Sequence, residues 1–313
     1  MPRVSVNIAC YNSAKFIGET LESVLNQTFS DFEIIVVDDG SSDDTSKIVS
    51  SFKDDRIKYF YKANEGLAHT RNKTIALSHG EYIAFLDHDD LWLPRKLEKQ
   101  LDKFNRNNKL GLVFADLYIQ NGSKRKKGTY FGRGAPAKGF ILEELLFSPF
   151  NFIALSAVMM PKRIFDRSGL FRFDLKIGED WELFLRTAAD YECDYVDEPL
   201  VIYKTHESNF SRNKDVYFRE AFTILDYWQS KRPDIFLRNN DKFLKKQADI
   251  FTDLAHFHAL NLRKADALAN FSRSLAKHKN VNVEIKRWIL LFFGFFAYRL
   301  ICKAKNVLFS YNQ

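Results

Sequence analysis

Residues 81–94 read EYIAFLDHDDLWLP. Tyr82 to Leu86 is an unbroken apolar and aromatic run after the turn signal His79-Gly80, which predicts a buried strand. The run stops at Asp87-His88-Asp89-Asp90, three carboxylates within four residues. Carboxylates so close repel one another, so a loop that concentrates them calls for an outside cation. Hard oxygen ligands suit magnesium or manganese. A charged turn with Asp90 capping a following helix accounts for the same residues without a metal. In an open α/β sheet, ligands gather at the carboxyl ends of the strands, where this cluster falls.

Upstream, short apolar runs alternate with helical patterns. Val4 to Cys10 predicts a strand ending in the polar turn Tyr11-Asn12-Ser13; Ile17, Leu21, Val24 and Leu25 then recur at helical spacing. Phe32 to Val37 predicts a second strand, closed by Asp38-Asp39-Gly40-Ser41-Ser42, and Thr45 to Phe52 a helix. Ile57 to Tyr61 reads as strand and Leu67 to Leu77 as helix. Such alternation means βαβ units and a mostly parallel sheet. Right-handed crossovers put every strand C-terminus on one edge, so Tyr11, Asp38, Asp39 and the Asp87–Asp90 cluster are expected to share it. Arg71 sits four residues after Leu67 and four before Ile75, on the apolar stripe of its helix. It either snorkels past the core edge or turns its fork of donors toward a phosphate or base.

Several separated motifs then occur in one order. The run VSVNIACYNSAKFIGETLESVLNQTFSDFEIIVVDDGSSDDT, followed by GLAHTRNKTIALSHGEYIAFLDHDDLW, resembles glycosyltransferase family 2 over roughly residues 3–205. The resemblance implies a GT-A fold: a Rossmann-like, mostly parallel mixed sheet flanked by helices. It also implies a nucleotide-sugar donor, here expected to carry UDP, and inversion at the anomeric carbon. By the same resemblance Tyr11 stacks on the nucleobase, Asp39 accepts a hydrogen bond from it, and Arg71 assists at the base or phosphates. Asp87 and Asp89 match the family's Asp-x-Asp motif, which holds Mn2+ or Mg2+ and the donor diphosphate. Physical reasoning agrees, because a leaving nucleoside diphosphate gathers negative charge that a cation offsets. The chain has no Gly-x-Gly-x-x-Gly loop and no Walker lysine to do that work.

The middle third is expected to hold the acceptor side. A helix after Pro94 runs to about Arg106, Leu110 to Gln120 reads as strand, and Phe152 to Met160 as another. Glu179-Asp180-Trp181-Glu182 opens a helix. A carboxylate at a helix N-terminus either caps it or, kept ionised by the helix dipole, removes a proton. GEDWELFLRTA resembles the family's Glu-Asp motif, in which the Asp is the base; that assigns Asp180 as base. Glu179 would then contact the acceptor or donor sugar, and Trp181 is either core or a sugar platform. Leu200 to Lys204 reads as strand, and YKTHESNFS resembles a family segment with lysine here for arginine. His206 in it is either structural or a ligand of the diphosphate or metal.

Residues 1–210 are therefore expected to form the catalytic domain and 211–313 a helical extension. Tyr217 to Gln229, Asp234 to Leu260 and Lys264 to Lys277 carry helical patterns. The segment 285–302, IKRWILLFFGFFAYRLIC, has basic residues at both ends of an apolar core. That core is about 16 Å as a helix at about 1.5 Å per residue, too short for a bilayer core of about 30 Å. It suits either a helix lying on an anionic membrane surface or one packed against protein. The string Glu284-Ile285-Lys286-Arg287-Trp288 lacks the glutamine of the processive synthases' Gln-x-x-Arg-Trp motif, so transfer of a single sugar is expected.

Composition bounds the rest. The 313 residues suffice for a full core. The net charge of +7 gathers in runs such as Lys124-Arg125-Lys126-Lys127, which fit an anionic surface or a solvated face. Aromatics and charges do not interleave as a base-stacking strip, which argues against a nucleic-acid partner. The three cysteines lie far apart, and the first apolar run is strand-like. Both features point to a reducing, cytoplasmic setting, at the inner membrane face if 285–302 binds lipid. The expected function is metal-dependent inverting transfer of one sugar from a UDP-sugar to a hydroxyl of a polysaccharide or lipid-linked glycan precursor. The alternative is a non-catalytic nucleotide-sugar-binding or scaffold protein of a membrane-associated assembly complex.

Overall fold

The structure is a computed structural model that describes residues 1–122, 124–125, 136–148, 152–206, 213–280, 282–284 and 286–287. These fall into two compact units, one within 1–146 and 150–212, the other within 147–149 and 213–313.

In the first unit, β1 (Val4–Cys10), β2 (Phe32–Asp38), β3 (Ile57–Tyr61) and β4 (Tyr82–Phe85) form a parallel sheet half in the order β3-β2-β1-β4. The crossovers are α1 (Ile17–Leu25), α2 (Thr45–Ser51) and α3 (Leu67–Leu77). Val6, Ile8, Ile34, Val36 and Ala84 are buried, as continuous β-branched and aliphatic runs become when helices cover both sheet faces. Register places Cys10 beside Asp38, Asp38 beside Tyr61, and Asn7 beside Phe85. Gly80 precedes β4 where backbone meets backbone; a Cβ there would lie 2.4 Å from Ser5 N, so only glycine fits.

The sheet continues through β8 (Met159–Pro161), β6 (Leu110–Asn121), β9 (Glu192–Thr205) and β5 (Leu91–Trp92), with β7 (Lys124–Arg125) paired to β6. β8 runs antiparallel to both β4 and β6, whereas β9 is parallel to β6. The remaining helices of this stretch are α4 (Lys96–Arg106), α5 (Leu142–Phe147), α6 (Ile164–Ser168) and α7 (Glu179–Asp190). Mixed sheet and flanking helices are the expected class.

Three local expectations need correction. Phe152 to Met160 is not one strand, because Leu155–Ala157 forms a 3-10 turn and only Met159 onward pairs. The turn aims Ser156: its hydroxyl receives the Asp87 N–H and donates to Asp90 Oδ2, while its carbonyl accepts the Trp92 indole N–H. Asp90 caps no helix; α4 has Arg95 at its N-cap, and Asp90 is buried with its other oxygen on Lys204 N–H. Strand β9 begins at Glu192, eight residues before the apolar run that signalled it, because pairing with β6 continues through polar positions.

The second unit packs α8 (Lys214–Lys231), α9 (Pro233–Arg238), α10 (Asn240–Leu260) and α11 (Lys264–Lys277). Ala255, Ala259, Ala267 and Phe271 close one core there, and Phe236 meets Phe243 edge-on at 4.9 Å. The single helix expected over Asp234 to Leu260 is two. Asn239 leaves helical backbone and turns its amide back to Ile235 O, as asparagine does when it competes with the helix ladder. Among the described residues no helix is long and apolar enough to cross a membrane. Apart from Lys286 and Arg287 with the three residues just before 285, the neighbourhood of 285–302 lies outside the described residues.

Candidate active site

The C-terminal edge of β1, β2 and β4 carries the predicted acids, and α3 ties them together. Asp39 follows β2 and donates its N–H to Cys10 O, one residue before Tyr11. Its carboxylate accepts the N–H groups of Glu65 and Gly66 at the start of α3, both at 2.9 Å, and pairs with the Lys62 ammonium. Burial pushes the Asp39 carboxyl up, but Lys62 and those backbone donors outweigh it, so its pKa lies below the usual range. Tyr11 stands beside it, half exposed. The loop holding Tyr11 is locked to the loop after β2, since Asn12 and Ser13 N–H groups reach Ser41 and Thr45 hydroxyls. Asp38 ends β2, fully buried, accepting from Ser41 N–H and the Tyr59 hydroxyl.

One turn into α3, Arg71 is buried and bridges two acids. Its Nη2 donates to Asp87 Oδ1 at 2.7 Å, and its Nη1 pairs with Glu179 at the start of α7. The guanidinium also lies over the Phe171 ring, 5.6 Å from its centroid. Arg71 therefore joins the β4–β5 loop to the α7 N-terminus, 108 residues apart in sequence between Arg71 and Glu179.

Asp87 and Asp89 face different partners. Asp89 Oδ2 lies 2.8 Å from His206 Nε2, and His206 stacks on Phe16 with ring centroids 4.5 Å apart. The Thr20 hydroxyl holds this loop through the carbonyls of His88 and Asp90. Asp90 beneath is pushed well above the carboxylate range by burial and by the charges of Asp89 and Asp87. Among the described residues no three His, Cys, Asp or Glu groups already converge as a closed metal site. Asp87 and Asp89 are both partly exposed, and their carboxylates are hard oxygen donors of the kind that magnesium or manganese takes.

Glu179 and Asp180 are the first two residues of α7, with Gly178 at the N-cap, so neither is a cap. Glu179 is buried against Arg71, and its Oε2 has no hydrogen-bond partner. Burial, with Asp180 adding, raises its carboxyl against the pull of Arg71. Asp180 is half-buried; burial pushes it up to about 6, Arg71 opposing and Asp87 adding. Its Oδ1 accepts the Trp181 N–H at 2.6 Å. Trp181 is a core residue rather than a sugar platform: the ring is buried and the indole N–H donates to Leu145 O. Glu179 is enclosed, with one carboxylate oxygen on Arg71 and the other without a partner.

Sequence reasoning missed Lys62, Asn72 and Ser156. Asn72 had a visible signal, since it falls four residues after Ala68 and three before Ile75 on the stripe that carries Arg71. A cavity of about 780 Å³ lies at the opposite sheet edge, lined by Gly80, Tyr82, Phe104, Pro161 and Lys162, away from these acids.

Sheet order and an acidic edge define a GT-A protein, and solved structures share the fold. A mannosyltransferase of Pyrobaculum calidifontis, in complex with GDP-mannose and Mn2+, superposes with a TM-score of 0.60 at 18% identity, over 98% of this chain and 87% of that one. The chain belongs to glycosyl transferase family 2, whose profile matches residues 5–169. An uncharacterised glycosyltransferase of Rickettsia typhi is 34% identical over 215 residues, 66% of this chain and 65% of that protein. The matches cover only 32% and 26% of two other rickettsial relatives. The Escherichia coli UDP-Glc:α-D-GlcNAc-diphosphoundecaprenol β-1,3-glucosyltransferase WfaP is 32% identical over 68% of this chain and 82% of its own length.

Proposed function

We propose that the chain transfers one sugar from a UDP-sugar to a hydroxyl of a lipid-linked or polysaccharide precursor, with inversion. The observation that carries this reading is the Arg71 bridge, which brings Asp87 and the Glu179–Asp180 pair into one cluster. Asp180 takes the proton of the acceptor hydroxyl as its oxygen attacks the anomeric carbon and the bond to UDP breaks. Tyr11 and Asp39 hold the nucleobase. Arg71, half of whose fork is committed to Glu179, serves the diphosphate side through Asp87. Asp87 and Asp89, backed by His206, would hold Mn2+ or Mg2+, which offsets charge on the departing diphosphate. The similarity to WfaP supports UDP and a lipid-diphosphate acceptor. The sequence of 285–302 supports contact with an anionic membrane face, where such an acceptor resides.

The test separates donor binding from transfer. Calorimetry with UDP and manganese should give the same affinity for Asp180→Asn as for the unaltered chain, while UDP release from UDP-glucose is lost. Equal loss of both would sink the base assignment. Failure of the unaltered chain to bind UDP, with or without manganese, would favour the scaffold reading.

A further inference from the structure

The segment Gly169–Gly178 connects α6 to α7 and delivers Asp180 to the site. Its first half, from Gly169 to Phe173, is held by side chains of α3 and α7. On one side, three α3 residues meet it in succession. His69 stacks on Phe173, with ring centroids 3.8 Å apart and planes 11° from parallel. Arg71 lies over Phe171. Asn72 makes a two-point amide clasp on the Phe171 backbone: Nδ2 donates to Phe171 O at 2.8 Å, and Oδ1 accepts the Phe171 N–H at 2.9 Å. Asn72 is buried, so both bonds are made away from water, where losing either leaves an unpaired backbone group.

On the other side, Arg186 of α7 reaches back to the same segment. Its Nη2 donates to Leu170 O at 2.7 Å and its Nη1 to Ser168 O, while Glu182 holds its Nε at 2.9 Å. Gly169 lies at φ 75°, a backbone conformation that other residues rarely adopt, so glycine is favoured there. A surface connection usually keeps such backbone groups in water and moves freely. This one has been converted into a strut.

We infer that Asn72, aided by the His69–Phe173 stack, is a positioning residue: by clasping Phe171 to α3 it sets where Asp180 stands relative to the Asp87–Asp89 loop. The geometry has one frame. Helix α3 holds Asp39 at its N-terminus, Asp87 through Arg71, and the base-bearing segment through Asn72. Base and donor sites are thus referenced to a single rigid helix. The inference rests on the proposed function and adds the means of alignment.

The experiment compares Asn72→Ala, His69→Ala and the unaltered full chain, with manganese, UDP and UDP-glucose as probes. A misplaced base loses rate without loosening the donor, and displacements of about 1 Å cost about 10²-fold. Asn72→Ala is therefore expected to lower kcat for UDP release about 10- to 100-fold, while the UDP Kd stays within about twofold. Hydrogen exchange should speed up at the Phe171 amide and through 169–178, with 82–86 still protected. His69 is exposed, so His69→Ala keeps the fold and should show the same split on a smaller scale, about threefold in kcat. This second variant decides the matter if Asn72→Ala fails to fold. Unchanged kcat, or kcat and UDP affinity falling together, overturns the inference alone. An unaltered chain that neither binds UDP nor releases it from UDP-glucose overturns the functional reading, and this one with it.

Discussion

The two edges of the parallel sheet each carry acidic side chains, and Glu33 at one is treated oppositely to the Glu179–Asp180 pair near the other. At the N-terminal edge, Glu33 accepts the Ser5 hydroxyl and the His79 N–H, both at 2.6 Å, and the Lys58 ammonium at 2.9 Å. Burial raises its carboxyl, but those donors outweigh it and bring it down to about 2. At the C-terminal edge, Glu179 keeps one oxygen without a partner, and Asp180 is raised to about 6. Glu33 and Glu179 are both buried, yet their carboxyls shift in opposite directions. A carboxylate saturated with donors is a structural pin; one left short of them and crowded by other acids is a reactive group.

The largest test of that contrast is Asp180→Asn. Loss of a general base is worth about 10²- to 10⁴-fold, so UDP release should fall about a thousandfold while UDP binding holds. The same change should raise the melting temperature, because a carboxylate with a raised folded pKa weakens the fold wherever it is ionised. A destabilised Asp180→Asn would break the contrast.

His206→Ala comes next. It removes the imidazole beside Asp89 and should weaken manganese-dependent UDP binding about 10- to 100-fold, read by calorimetry with and without the metal. Binding in the absence of metal should hardly change.

Glu33→Gln should do the reverse of Asp180→Asn: a stability loss of about 1.5–3 kcal/mol, from hydrogen bonds to a charged group, with kcat unaltered in the folded fraction. Urea denaturation measures the first and donor turnover the second. An effect on kcat comparable to Asp180→Asn would erase the distinction between the edges.

The smallest effect is in pH. Asp180 must be ionised to act, so kcat/KM should rise with pH through about 6 and then level. The stability terms carry opposite signs. Asp180, raised on folding, contributes stability below the usual carboxylate range, lost as pH climbs through about 6. Glu33, lowered on folding, contributes stability above about 4.5 that is lost as pH falls toward about 2. Chemical denaturation across pH 2–8 should show both limbs, and Glu33→Gln should remove the acid one.

How much was legible depends on the kind of signal. Apolar runs and helical spacing located β1 through β4 and α1 through α3 almost to the residue, and Lys264–Lys277 with no shift at either end. Where hydrogen bonds rather than burial set the backbone, the pattern failed. Ser156 turns an apolar run into a 3-10 turn, and Asn239 divides a continuous amphipathic stretch. The site showed the same split. Motifs flagged Asp39, Asp87, Asp89 and Asp180 as chemistry-bearing, and Arg71 was visible as a charge on an apolar stripe. Nothing local said that Arg71 would spend its fork on Asp87 and Glu179, or that Trp181 would turn inward.

The order of residues alone determined the family, the parallel half of the sheet and the edge on which its acids emerge. Those follow from side-chain periodicity and crossover handedness, which act over one or two elements. Only the folded chain decided which acids are pinned and which are poised. A carboxyl's proton affinity depends on donors and charges that arrive from distant segments: Ser5, Lys58 and His79 at Glu33, Arg71 and Asp87 at Asp180. No spacing rule reaches across such gaps; packing onto α3 and the sheet does.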